Sequence, residues 1–195
     1  MLKPEQLPAS PPHVRLIDVA REMFCRDGIH ATGIDRILST ANVSKMTLYT
    51  RYGSKEALVR EVLRQEGEEW RTDFFAAVLA TSPDPKLRLH GVMTALAPWF
   101  HGERFYGCAF MNAVAEHAKG ESWLRELAAD HHGQIADFLA ERATEAGYDE
   151  PALLARQIML VIDGAIAASM VSGDAAVLTI TARNLAAILA QAPKL

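Results

Sequence analysis

Between Asp35 and Glu56 the chain carries no acidic residue, yet it carries four cations: Arg36, Lys45, Arg51 and Lys55. Set among and just before them are Thr32, Ser44, Thr47, Tyr49 and Thr50, with Met46 beside them. Positive charge interleaved with hydroxyls suits a polyanion: the cations neutralise phosphates, and the uncharged groups reach base edges or phosphate oxygens. The surrounding charge is uneven. Residues 1–64 hold ten Lys/Arg against seven Asp/Glu, a balance of +3, and residues 65–195 hold ten against seventeen, a balance of −7. A solvated face with chance asymmetry explains charge alone equally well, so spacing has to decide.

The elements that would position these residues are short helices. Val14, Ile17, Ala20 and Phe24 recur at helical spacing, and Gly28 closes that segment. Thr32 is placed to cap a second helix, with Ile34, Ile37 and Leu38 on its buried side. Asn42-Val43-Ser44 is a tight connection, and Ser44 caps a third helix through Tyr49. Ser54 then caps a long fourth helix to Ala80. A three-residue connection between the second and third helices makes a helix-turn-helix by spacing. Its exposed side offers Lys45, Met46, Thr47, Tyr49 and Thr50 to a major groove, while Ser44 and the first amides of the helix favour a phosphate. Lys55, in a first helical turn, opposes the helix dipole, and a phosphate partner explains that placement. A solvated lysine is the plainer alternative.

The rest of the chain reads the same way. Ser82-Pro83-Asp84-Pro85 is a turn, followed by helical segments near 85–97, 107–118, 122–146, 150–172 and 174–192. Gly102, Gly107, Gly120, Gly147 and Gly173 punctuate them. No strand-like alternation survives, so the expected fold class is all-α, with about nine helices.

Several classes are excluded. The 50% hydrophobic and 23% charged content is that of a globular protein. No run of about 18 uncharged apolar residues occurs, so no membrane partner is expected. The opening MLKPEQLPASPPH lacks an apolar core and is not read as a secretory signal. Cys25 and Cys108 form no C-x-x-C, and a cytoplasmic chain with free thiols is the expectation. His131 and His132 are adjacent and point to different helix faces, so neither metal nor cofactor is expected. No G-x-S-x-G, H-E-x-x-H, P-loop or G-x-G-x-x-G occurs, and the chain is not read as an enzyme.

Two further groups stand out. Trp70, Phe74, Trp99, Phe105, Phe110 and Trp123 cluster after the basic region, with Asn112, Glu116 and Asp163 on otherwise apolar faces. They line either an apolar effector pocket or a plain core. Residues 152–172 are apolar around most of a helix, and 174–192 add a second such helix. Ile158, Ile162, Ala165, Ala168, Ser169, Leu185, Ile188 and Leu189 are the expected contacts if two copies pair these helices across a two-fold axis. Burial inside one chain is the alternative.

Residues 13–64 resemble the N-terminal domain of the TetR family of bacterial transcriptional regulators. The stretch that carries the resemblance is GIHATGIDRILSTANVSKMTLYTRYGSKEALVREVL, with Val43-Ser44-x-x-Thr47-Leu48-Tyr49-x-x-Tyr52-x-Ser54-Lys55-Glu56-x-Leu58 at its centre. The resemblance implies a DNA-binding domain over residues 1–53, with the motif at 33–52, and an effector-binding and dimerisation domain over 54–195. It implies phosphate contacts for Tyr49 and Lys55 and groove contacts for Lys45 and Thr47. Thr32, Gly33, Arg36, Ser44, Met46, Thr50 and Arg51 complete the expected DNA-facing set. Gly33 stands where the family often has Thr or Ser, Met46 where it often has a small residue, and Tyr52 where it often has Phe. The expected function is a homodimeric repressor on a palindromic double-stranded operator, released by a small-molecule effector of unknown identity. A helix-turn-helix regulator without a ligand, or an all-α small-molecule-binding protein or enzyme with an incidental basic domain, is the alternative.

Overall fold

The structure is a computed structural model that describes residues 10–117 and 122–195. The opening tail through residue 9, Gly120 and the last position of the 107–118 segment lie outside the described residues. Nine α-helices and one 3-10 helix make up the described elements, and no strand occurs among them. The chain divides into two compact units. The described residues of Met1–Glu68 and Ala109–Glu121 form the first, and those of Glu69–Cys108 and Ser122–Leu195 form the second.

In the first unit, α1 spans Pro12–Asp27. Proline at the first helical position loses no hydrogen bond. The helix stops at Gly28, whose N–H donates to Phe24 O at 3.1 Å. Leu16, Ile17, Ala20, Met23 and Phe24 form the buried stripe, whereas Val14, expected inside, is exposed. The second helix, α2, covers Ile34–Ala41 and ends at Asn42 with φ +51°. Its expected cap is corrected by the structure. Gly33 is the N-cap and supplies no side chain, while Thr32 is fully buried. The Thr32 hydroxyl donates to Gly28 O at 2.6 Å, so it satisfies the preceding turn. The third helix, α3 (Lys45–Arg51), is capped as expected, with Ser44 Oγ accepting from the Thr47 N–H at 3.2 Å. Ser54 Oγ accepts from the Ala57 N–H and starts α4, Lys55–Ala80. Leu58, Val59, Val62 and Leu63 of α4 are buried, and α6 (Ala109–Glu116) buries Phe110 and Ala113.

The second unit contains the rest of α4, a 3-10 helix at Pro85–Gly91, and α5 at Val92–Phe100. The single helix expected over 85–97 is therefore two. Gly91 sits at the junction with no room for a side chain, because a Cβ there would overlap the Thr81 side chain. The unit is completed by α7 (Ser122–Glu145), α8 (Pro151–Ser172) and α9 (Ala176–Gln191). The α8 helix packs on both α7 and α9. By length and composition α8 would suffice to cross a bilayer, its two charges notwithstanding. Its burial of Leu154, Ala155, Ile158, Met159, Ile162, Ala165 and Ile166 reads as a core helix instead. The chain end returns to the α7–α8 loop, where Tyr148 Oη donates to Leu189 O at 3.3 Å.

Candidate nucleic-acid interface

The third helix is amphipathic over two turns. Leu48 is fully buried, and the helix packs against α1. The opposite side is open. Met46 is 78% exposed, and Lys45, Tyr49, Thr50 and Arg51 are exposed with it. Thr47 is half-buried, and its hydroxyl shares a hydrogen bond of 3.0 Å with Ser44 Oγ. A helix of this width, presented on a compact support, fits a major groove.

Three of the four cations of this surface are already engaged. Lys45 Nζ lies 2.8 Å from the Asp35 carboxylate, which raises the lysine pKa by hydrogen bonding and charge. Arg36 pairs with Asp27 at 2.9 Å. Lys55 departs furthest from expectation. Its ammonium is half-buried and donates to Ile29 O at 2.6 Å, so it serves the α1–α2 turn. Burial lowers the Lys55 pKa, and the charge of Glu116 opposes that shift. Thr32 presents no hydroxyl to a partner, since its side chain is inside. Gly33, Arg36 and Ser44 are at the surface as expected. Sequence reasoning missed Asp35, although an acid ten residues before Lys45 across a helix-turn-helix is a readable signal.

The expected effector residues fall into two sets. Phe110, Asn112 and Glu116 belong to the first unit. There Phe110 is buried, and Asn112 and Glu116 line a space of only about 10 Å³, room for one water. Trp70, Phe74, Trp99, Phe105, Trp123 and Asp163 belong to the second unit. Trp70 stacks on Phe74 at 5.0 Å and meets Trp99 edge-on at 5.4 Å, and Trp99 meets Phe105 at 5.0 Å. Beside Trp70, the buried His131 accepts from Arg71 at its Nδ1, 2.7 Å away. Burial, then Arg71 and His132, push the His131 pKa down to about 3, so the ring is neutral. His132 Nε2 stands 3.7 Å from Asp163, whose carboxyl is held above its ordinary range by burial. A separate hollow of about 250 Å³, bounded by Tyr148, Glu150, Leu153, Gln157, Ile188 and Gln191, includes none of the expected effector residues.

Of the expected pairing residues, Ile158, Ile162, Ala165, Leu185 and Leu189 are buried within the chain and are not available to a second copy. Ser169 and Ile188 are half-buried and Ala168 is exposed. The apolar side chains that do face outward are others: Leu153, Leu160 at 73%, Val171 at 89%, and Ile180.

Residues 16–62 match the family model described as bacterial regulatory proteins, tetR family. A TetR-family transcriptional regulator from Streptomyces coelicolor superposes with a TM-score of 0.86 at 27% identity, covering 94% of this chain and 96% of that one. Residues 16–62 belong to the TetR family. The chain is also similar to the HTH-type transcriptional regulator UidR of Escherichia coli, 26% identical over 149 residues, which cover 75% of this chain and 71% of the relative. The HTH-type transcriptional activator FasR of Mycolicibacterium smegmatis is 32% identical over 108 residues, 55% of this chain and 49% of the relative. A TetR-family chain with this motif is a DNA-binding transcriptional regulator, and the exposed side of α3 lies in the region that the family model covers.

Proposed function

We propose that this TetR-family regulator is a repressor that grips a two-fold symmetric operator as a homodimer and leaves it when a small molecule binds. In this reading residues 1–53 contact DNA and residues 54–195 dimerise and take the effector. The observation that carries it is the third helix, which buries Leu48 and turns Lys45, Met46, Tyr49 and Thr50 to solvent. Thr47, Arg51, Gly33, Arg36 and Ser44 flank that surface. One such helix makes few contacts, so two must act together. The outward row Leu153, Leu160, Ala168 and Val171 on α8, with Ile180 on α9, supports pairing through these helices. The half-buried rings of Trp70, Trp99 and Phe105, near Arg71, His131 and Asp163, support a mostly apolar effector with one polar group. Kinship to regulators supports a binding protein of the cytoplasm rather than an enzyme.

The test starts with duplexes selected from a random-sequence pool by the purified chain. The expected motif is two-fold symmetric, with half-sites about one helical turn apart or a multiple of it. A lone half-site would overturn the dimer. Compounds that raise the melting temperature should then weaken binding to the selected duplex by the factor by which the duplex weakens theirs. Stabilising compounds that leave DNA affinity unchanged would overturn the effector reading. Transcription across the selected duplex should fall when the protein is added, and a rise would make the chain an activator.

A further inference from the structure

Glu116 closes α6 and reaches the turn between α1 and α2, 86 positions away in sequence. Its Oε2 accepts from the His30 backbone N–H at 3.0 Å, and His30 Nδ1 stands 3.7 Å from the same oxygen. The carboxyl packs against Gly28. A Cβ at Gly28 would stand 3.0 Å from Oε1, and the residue holds φ +89°, where glycine is favoured. From α4, Lys55 donates to Ile29 O in this same turn. From within the turn, Thr32 donates to Gly28 O. Three side chains thus hold the carbonyls and amides of residues 28–30.

We propose that Glu116 is a positioning residue for DNA binding, fixing the α1–α2 turn and, through it, the corner where α3 passes into α4. The turn leads directly into α2, the first helix of the motif. Lys55 stands four residues after Arg51, which ends α3. The Lys55–Ile29 bond therefore ties the end of the recognition helix to the start of its partner. Lys55 is half-buried and leans on the charge of Glu116. Without that carboxylate the His30 N–H loses its acceptor and Lys55 loses a compensating charge. The motif then populates several arrangements, and DNA has to select the competent one, which weakens apparent affinity by the competent fraction.

Two further side chains and a neighbouring helix surround the clasp. The His30 and His117 rings lie 4.3 Å apart, and His117 Nδ1 donates to Ala113 O at 2.7 Å. The other titratable groups around the carboxylate are Lys55 and Glu66 of α4 and Cys25 of α1, with Glu66 paired to Arg21.

The probe is a duplex selected from a random-sequence pool by the wild-type chain. Glu116→Ala should bind it roughly tenfold to a hundredfold more weakly, as expected for loss of one charge-assisted hydrogen bond. Glu116→Gln keeps an acceptor oxygen, so it should restore most of the affinity. Glu116→Asp keeps the charge but loses reach, so it should stay weak, and it supplies the comparison should the alanine variant unfold. Amide exchange reads the clasp without DNA: the His30 amide should exchange faster in Glu116→Ala and Glu116→Asp than in wild type. Wild-type affinity in the alanine or aspartate variant, alanine-like affinity in the glutamine variant, or an unchanged His30 exchange rate would each overturn the proposal.

Discussion

The Lys45 ammonium and the Asp35 carboxylate lie 2.8 Å apart across the two helices of the motif, both largely open to solvent. An exposed pair of this kind adds little to folding. Its consequence is electrostatic and external. Asp35 neutralises the lysine on the surface proposed for DNA, and it places a negative charge where phosphates would approach in that reading.

Asp35→Asn should therefore tighten DNA binding at low salt for duplexes of any sequence, with the melting temperature nearly unchanged. Lys45→Ala should do the opposite and flatten the dependence of log affinity on log salt by about one unit. The double variant decides the route. If the gain from Asp35→Asn acts through a released Lys45, it disappears when Lys45 is absent. If the gain persists, the carboxylate acts by repelling phosphate directly. Fluorescence anisotropy at several salt concentrations measures all four proteins.

Thr32 gives a second test, because its hydroxyl is buried on Gly28 O and not at the surface. Thr32→Val removes that bond in a side chain of nearly the same shape and leaves the Gly28 carbonyl short of a donor. The expected cost is about 1 kcal/mol of stability, read from urea unfolding. Any loss of DNA affinity should come with that loss of stability, because no phosphate contact is removed. Weaker DNA binding with unchanged stability would return Thr32 to the phosphate-contacting set.

Local signals in the sequence found the motif, because caps, turns and short apolar periods act over a few residues. Ser44 on the Thr47 N–H and Ser54 on the Ala57 N–H are read from neighbours in the chain. Long-range pairings left no such mark. Nothing near Lys55 announces that its ammonium will find Ile29 O, 26 positions earlier. Nothing near Glu116 announces His30. On α8 the difficulty is different. The helix is apolar on nearly all sides, so period alone cannot say that Ile158 turns inward and Leu160 outward, two positions on. A direction of that kind is set by the packing of α7 and α9, not by α8 itself.

His131 predicts how stability depends on pH. Its folded pKa, about 3, lies well below that of an unfolded histidine, about 6.5. Between these values the unfolded chain binds the proton and the folded chain does not. This residue's contribution is fully present above about pH 6.5 and is lost as pH falls toward 3, at roughly 1.4 kcal/mol per pH unit. Asp163 acts in the opposite sense, since burial raises its folded pKa and lets the folded chain take a proton first. The comparison that isolates His131 is His131→Gln, which can still accept from Arg71 but does not titrate. Between pH 7 and 5 the wild-type chain should lose about 2 kcal/mol more than the variant. Equal losses would show that His131 takes up its proton in the folded state.

The outward row on α8 separates pairing from folding. Leu160 is 73% exposed and Ile158 is fully buried, though both belong to one apolar run. Leu160→Arg places a charge on the surface of a single chain, where it costs that chain little. In a paired apolar interface the same charge has no partner and is strongly unfavourable. The variant should fold with wild-type helicity, sediment as a monomer and bind a selected two-site duplex far more weakly than wild type, because both half-sites can no longer be gripped together. Ile158→Ala should do the reverse: it opens a cavity in the monomer core at a cost of about 2–5 kcal/mol and leaves the surviving folded protein dimeric. If Leu160→Arg remains a dimer by light scattering, then Leu160, Leu153 and Val171 are simply exposed, and the pairing surface has to be sought away from α8.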